Sequence, residues 1–374
     1  MKPEGLWYLA WKRLKADRVA MLSLGVVVLF LVLLVLSLGG LVASDWSKEV
    51  GVHYAPPDFV GEQAGYTGVE NGTTTGENRE IAEIPPENPL DPLKDVIREL
   101  RKEMASDGSA VDMYGIDDPL KNELDEIRRH RPSGDTTVSA ESARRKTLLF
   151  GADKWGHDII RKTVKGSETS ILVGLIAAFV ATSMGTLLGA FAGYFGGWVD
   201  DFMNWFYNVF TSIPYLLLIL AVAAVLQSKG VLTIILILGL TGWTGVFRLV
   251  RAEYIKHKER EYVLAADAIG ASSWRKMFIH IFPNVSHISL VQMSILSVGF
   301  IKSEVILSFL GFGVPVGVVS WGSMLNEAQN ELILGKWWQL VAVTVAMAVL
   351  VTALSLFTDG LRDALDPKLK KGDS

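Results

Sequence analysis

The chain has 374 residues, half of them apolar, with 36 Lys and Arg against 40 Asp and Glu and no cysteine. Its mean hydropathy is +0.31, and several uncharged runs exceed 18 residues, which excludes an ordinary water-soluble globule. Without cysteine there are no disulfides or thiolate metal sites, and the net charge of −4 argues against a nucleic-acid surface.

Residues 1–18 are basic (Lys2, Lys12, Arg13, Lys15 and Arg18) and lead into an uncharged run at 19–44. That run is longer than the roughly 7–15 residues of a signal-peptide core, and no clear A-x-A site follows. It reads as a retained membrane anchor and a first transmembrane helix.

Residues 45–167 form an insert. Its stretch 45–146 holds 22 acidic against 13 basic residues, so it reads as a water-facing, extracytoplasmic domain. Residues 61–88 are rich in Gly, Thr and Glu and read as loop or partial disorder. Two helix starts share one word: "DPLKDVIRELRKEM" at Asp91 and "DPLKNELDEIRR" at Asp118. In each, Asp can cap the N-terminus and Pro fits the first helical position. Leu93, Ile97, Leu100 and Met104 form one apolar stripe, and Leu120, Leu124 and Ile127 the other. Two helices packing on each other is the simpler reading, an internal repeat with its own function the alternative.

Five more runs follow, at 169–199, 202–228, 230–247, 281–301 (interrupted only by His287) and 337–358. With the first they predict an all-α polytopic membrane protein of six transmembrane helices, its five-helix core spanning 168–358 and its tail 359–374. Gly185, Gly189, Gly193 and Gly197 recur every four residues and invite close approach of another helix backbone. Pro214 should kink span three. Charges inside spans mark ion-coupled transport, and Lys302 and Glu304, near the outer end of span five, are almost the only ones. Together with Pro214 they are candidate gate residues, with simple snorkelling the plainer reading of the two charges.

The basic residues also set an orientation. They precede span one, fill the loop between spans four and five (Arg248, Arg251, Lys256, Lys258, Arg260, Arg275, Lys276) and follow span six (Arg362, Lys368, Lys370, Lys371). Short loops on the other side carry only Lys229 and Lys336. The positive-inside rule places both termini and the 251–284 loop in the cytoplasm of a multi-pass protein. Asp200 and Asp201, with no basic neighbour between spans two and three, dissent.

A catalytic search returns little. The six histidines show no paired metal-ligand spacing, and there is no G-x-x-x-x-G-K-[ST] loop and no G-x-S-x-G elbow. "GFGVPVG" at Gly311 lacks a strand–turn–helix context. The chain reads as a non-enzyme.

The loop "EREYVLAADAIGASSWRKMFIHIFPN", 259–284, is a charged, alanine-rich interruption between two spans. A short helix runs over 261–269 with Ala265, Ala266 and Ala268 clustered, and Gly270 can turn the chain. Ser272 or Ser273 caps a second helix, Ala271 lies in the turn, and Pro283 starts span five. Small residues let such a helix sit deep in a partner's groove.

This segment resembles the "EAA" coupling loop of ABC importer permeases: EAA, three residues, G, then about a dozen residues to a Pro. Ala265, Ala266, Gly270 and Pro283 stand at the matching positions, Leu264 at that of the glutamate and Phe282 at that of the leucine before the proline; Glu261 fits the acidic position of the peptide branch. "FGADKWGHDIIRKTVKGSETSILVG", "SEVILSFLGFGVPVGVVSWGSML" and "DGLRDALDPKLK" are similar to the C-type subunit of dipeptide, oligopeptide and nickel permeases, with His157 and Glu168 replacing usual arginines. The likeness covers 150–370 and the N-terminal anchor but not the insert.

The resemblance implies an ATP-driven importer of the prokaryotic plasma (inner) membrane, for peptides by preference. Its partners would be a homologous permease, two cytoplasmic ATPases binding the 259–284 loop, an extracytoplasmic solute-binding protein and membrane lipid, with no nucleic acid. ATP-Mg would bind the ATPases and no cofactor this chain; the insert and the 311–336 loop would be candidates to meet the binding protein. Two rival readings are an ion-coupled secondary transporter and a membrane-anchored receptor or scaffold using the insert.

Overall fold

The computed structural model describes residues 6–61, 144–228, 230–315 and 317–365. The helices expected at Asp91 and Asp118, and the tail beyond 365, lie outside them. The architecture is all-α, with isolated β-bridges but no β-strand among the described residues.

A short helix α1 (Leu6–Ala16) turns at Asp17 into α2 (Arg18–Leu38). The Asp17 carboxylate accepts from the Val19 and Ala20 amides at 2.9 and 3.2 Å, satisfying two donors that a helix start leaves open. Residues 39–61 and 144–158, the described ends of the insert, are not helical. They are tied by the bridges Glu49 to His157, Gly51 to Arg145 and Pro57 to Leu148 around a small core of Ala55, Leu148 and Ala152.

Helix α3 (Ile159–Phe195), capped by Asp158, has 37 residues, roughly 55 Å at 1.5 Å per residue. It begins ten residues before the uncharged run, so its first turns carry Arg161, Lys162, Lys165 and Glu168 beyond the hydrocarbon core. After a turn at Gly196 and Gly197 come α4 (Gly197–Thr211) and α5 (Tyr215–Leu226). These two meet at an 85° bend where Pro214, lacking an N–H, cannot continue the helical ladder. The kink expected there is thus a full break, and the α4–α5 pair is either a broken span or a re-entrant loop.

Helices α6 (Val231–Thr241) and α7 (Thr244–Lys258) follow as one line, then α8 (Glu261–Ala268) and α9 (Ser273–Phe309). Two more, α10 (Trp321–Ile333) and α11 (Trp338–Leu365), complete the described chain. Among the described residues five helices are long and apolar enough to cross a membrane, or six if the bent α4–α5 pair counts as one span.

Helix α3 is the hub. A Cβ on Gly185 would lie 2.6 Å from the Trp243 carbonyl oxygen, on Gly189 2.8 Å from that of Phe247, and on Gly193 2.6 Å from that of Arg251. The glycine stripe therefore lets α7 lie backbone to backbone on α3. Gly197 is not part of it: nothing lies within 4 Å and its φ is +54°, so it serves the turn into α4. At the far edge α1 and α2 pack on α11, with Ala20 of α2 over Gly360 and Leu14 of α1 beside Ala364 and Leu365.

These contacts sort the molecule into two ends. One holds α1, the α3–α4 turn, the end of α7, α8 and the end of α11; the other holds residues 39–61, 144–158 and α10. The dissenting Asp200 lies at the first end, where Arg251 clasps its carboxylate with two N–H groups, one at 2.6 Å. Its charge is matched across helices where no neighbour in sequence could match it.

Candidate functional site

Helix α8 is built to be held from one side and to offer the other. Val263 and Ala266 are buried beside α7 and α9, where Val263 joins Val250, Tyr254, Met277 and Ile281 in one apolar cluster. Glu261, Ala265, Ala268 and Gly270 are exposed, as are Leu264 (56%) and Ile269 (84%). Of the two alanines singled out by spacing, then, only Ala265 faces outward, while Ala266 is a packing residue.

The end of α8 follows from hydrogen bonding. The Gly270 amide donates to the Asp267 carbonyl at 2.9 Å and the Ala271 amide to that of Ala266 at 3.0 Å, a Schellman closure. Gly270 sits at φ +79° with open space around it, so the left-handed backbone, not crowding, demands glycine. Ala271 is half-buried in the turn beyond.

Polar ties join α8 to its neighbours. Lys276 pairs with Asp267; the Tyr262 hydroxyl meets His257 Nδ1 at 2.8 Å and accepts from Asn284 Nδ2 at 3.4 Å. The Tyr254 hydroxyl donates to the Met277 carbonyl at 3.2 Å. Both flanking spans are thereby joined to one short rod.

Pro283 stands in the first turn of the regular α-helix of span five, Phe282–Phe309, as expected, but the helical line of α9 extends back beyond it. The helix begins at Ser273, capped by the Ser272 side chain, and reaches Pro283 through a π-helical stretch, Lys276–Ile281. There the Phe282 amide bonds to the Met277 carbonyl, five residues back. A proline cannot donate to the carbonyl four residues back and crowds it, and the wider turn absorbs both defects.

The candidate gate residues do not converge. Pro214 is exposed at the α4–α5 break and Lys302 is exposed on α9. Glu304, which should have snorkelled, is instead fully buried. It accepts a hydrogen bond from Ser308 at 2.7 Å, with the Ser170 and Ser320 hydroxyls beside it. Two residues apart on a helix, Lys302 and Glu304 point to nearly opposite faces.

Sequence spacing missed a buried ionic cluster at the opposite end. Lys162 Nζ lies 2.6 Å from Asp153 Oδ2 and 2.6 Å from Glu327 Oε2, and His157 Nδ1 2.9 Å from Asp153 Oδ2. Burial would raise the Asp153 carboxyl, but Lys162 and the His157 amide outweigh it and hold it below its usual range. Its members come from three separate segments, so no local pattern announces them.

The chain is similar to known proteins. The family model for the inner membrane component of binding-protein-dependent transport systems matches residues 185–371, and that for the N-terminal transmembrane domain of oligopeptide transport permease C matches 5–57. The dipeptide transport system permease protein DppC of Bacillus subtilis (strain 168) is 37% identical over 222 residues, covering 59% of this chain and 69% of its own. The oligopeptide transport system permease protein OppC of the same strain is 35% identical over 243 residues, 65% of this chain and 79% of its own. A chain of the inward-facing MetNI methionine ABC transporter aligns at 16% identity and TM-score 0.44, over 56% of this chain and 98% of that one.

Proposed function

Because the chain belongs to the family of binding-protein-dependent transport system inner membrane components, we propose that it is a membrane permease subunit of an ATP-driven peptide importer. A second permease of the family completes the pathway. Two ATPases engage α8 from the cytoplasm, and an extracytoplasmic binding protein delivers cargo to the end formed by residues 39–61, 144–158 and α10. Both termini are cytoplasmic, in keeping with the basic residues of α1, α7 and α9 on the α8 side. ATP-Mg binds the ATPases; this chain holds no cofactor.

The observation that carries this reading is the two-faced α8. Its buried Val263 and Ala266 anchor it to α7 and α9, while Leu264, Ala265, Ala268 and Ile269 stand exposed. When ATP draws the two ATPases together, a rod so anchored carries the displacement into both spans as one body. The pathway then alternates because ATP binds one arrangement better than the other. Peptide cargo is supported by the names of the dipeptide and oligopeptide relatives.

The test is extraction in mild detergent, identification of what accompanies the chain, and uptake of a labelled dipeptide into liposomes carrying the purified assembly and its binding protein. Two ATPases should co-purify, and uptake should need ATP. Uptake that persists without ATP under a proton gradient would replace this reading with ion-coupled transport.

A further inference from the structure

At the end opposite α8, the charges around Lys162 do not balance. Its ammonium, on a residue only 3% exposed, contacts Asp153 and Glu327 and so already faces two carboxylates. A third, Glu331, sits one turn beyond Glu327 on α10; it is 2% exposed, and neither of its oxygens has a hydrogen-bond partner among the described residues. Charged and titratable groups approach it from each element around it: Glu327 from α10, Lys162 from α3, Asp153 from residues 144–158 and Tyr54 from residues 39–61. The Lys154 amide approaches it without completing a hydrogen bond. Towards α11 stand the neutral Gln339, bound to Glu327 Oε2 at 3.3 Å, and buried Lys336, whose ammonium lies over the Trp338 ring.

Lys162 is shared by Asp153 and Glu327, and His157 answers Asp153 alone, so the cheapest relief for the buried Glu331 is a proton on its carboxyl, which has no hydrogen-bond donor among the described residues. We propose that Glu331 is a buried proton-binding site whose occupancy holds α10 against the start of α3. Burial above all, then Asp153 and Glu327 against the opposing pull of Lys162, pushes this carboxyl from 4.5 up to about 7. The sign follows from the raised value. The proton-bound, closed arrangement is fully favoured below about pH 4.5, loses ground as pH rises, and loses no more above about 7. Opening of α10 should therefore increase roughly fifty-fold between pH 5 and pH 7.5.

The consequence for transport rests on the reading above, in which α10 faces the binding protein; the proton site itself does not. The test is hydrogen exchange on the full chain, co-purified with its partners in lipid nanodiscs, following peptides from residues 321–336 at pH 5 and pH 7.5 after correction for intrinsic exchange rates. In the native chain, protection should fall roughly fifty-fold. In Glu331→Gln it should stay flat, and in Glu327→Gln the fall should be smaller and complete at lower pH, since one anion is gone. A pH-independent native chain, or an unchanged fall in Glu331→Gln, would overturn the proposal. ATP-driven uptake by the same nanodisc preparation, moved into liposomes, separates the two inferences. Normal uptake with no pH effect on α10 rejects only the proton site, whereas the pH effect without uptake rejects only the permease reading.

Discussion

Replacing Gly189 with Ala adds one methyl where α3 and α7 touch. Its carbon would stand 2.8 Å from the Phe247 carbonyl oxygen, 3.1 Å from the Arg251 amide nitrogen and 3.1 Å from Val250 Cβ. Two of these are backbone atoms that no rotamer change can move, so relief to ordinary contact requires the helices to part by about 0.6 Å. Overpacking of this kind costs about 1–3 kcal/mol. Gly245, on α7 itself, has nothing within 4 Å; there Gly→Ala removes only the flexibility of glycine in a helix and should stabilise by about 0.5–1 kcal/mol. Thermal unfolding of the two purified variants in one detergent is the assay. Gly189→Ala should melt several degrees below the native chain and Gly245→Ala at or slightly above it. Equal melting temperatures for both would refute the claim that the glycine stripe exists to bring two backbones together.

Other outcomes follow from the same contacts. Gly270→Val places a β-branched residue at φ +79° and should cost at least about 1–2 kcal/mol, seen as faster proteolysis within 259–272. Gly270→Asn, which tolerates that conformation better, should be milder. Lys162→Met leaves Asp153 and Glu327 without their ammonium and should destabilise by about 3–5 kcal/mol. Adding Asp153→Asn should recover a substantial part of that loss, and a double variant no more stable than the single would argue against the buried cluster. Asp200→Asn removes one charge of a pair whose side chains are 27% and 17% exposed. Because water screens such a pair, the shift should stay within about 1 kcal/mol.

Much of this was legible in the sequence, for identifiable reasons. Uncharged runs locate the spans because lipid imposes a length, and the four-residue glycine spacing shows helix contact because a helix returns to one face at that interval. The limits of α8 were readable too, since a glycine after an alanine-rich turn is a strong stop. Helix starts were not. Both α3 and α9 begin well before their apolar runs, because charged residues outside lipid can be helical when partners such as Asp153, Glu327 and Asp267 await them. Pro283 does mark where regular α-helix begins, and the π turn before it, which has no sequence signature, is what extends the helix back to Ser273. Helix α10 has a signal of its own, since Trp321, Met324 and Ala328, with half-buried Leu325, are spaced as one helical face. The Lys162 cluster and the burial of Glu304 depend on side chains far apart in sequence, which no single-chain pattern can bring together.

Native cysteine is absent, so single-cysteine variants report contacts without background. Ile269→Cys, on the outward side of α8, and Ile333→Cys, at the end of α10, replace side chains of equal exposure, 84% each. With a bifunctional thiol–amine reagent in native membranes, Ile269→Cys should cross-link to an ATPase subunit, with a yield that changes when ATP is bound, and Ile333→Cys should not. An ATPase captured by Ile333→Cys and not by Ile269→Cys would contradict the account at its centre.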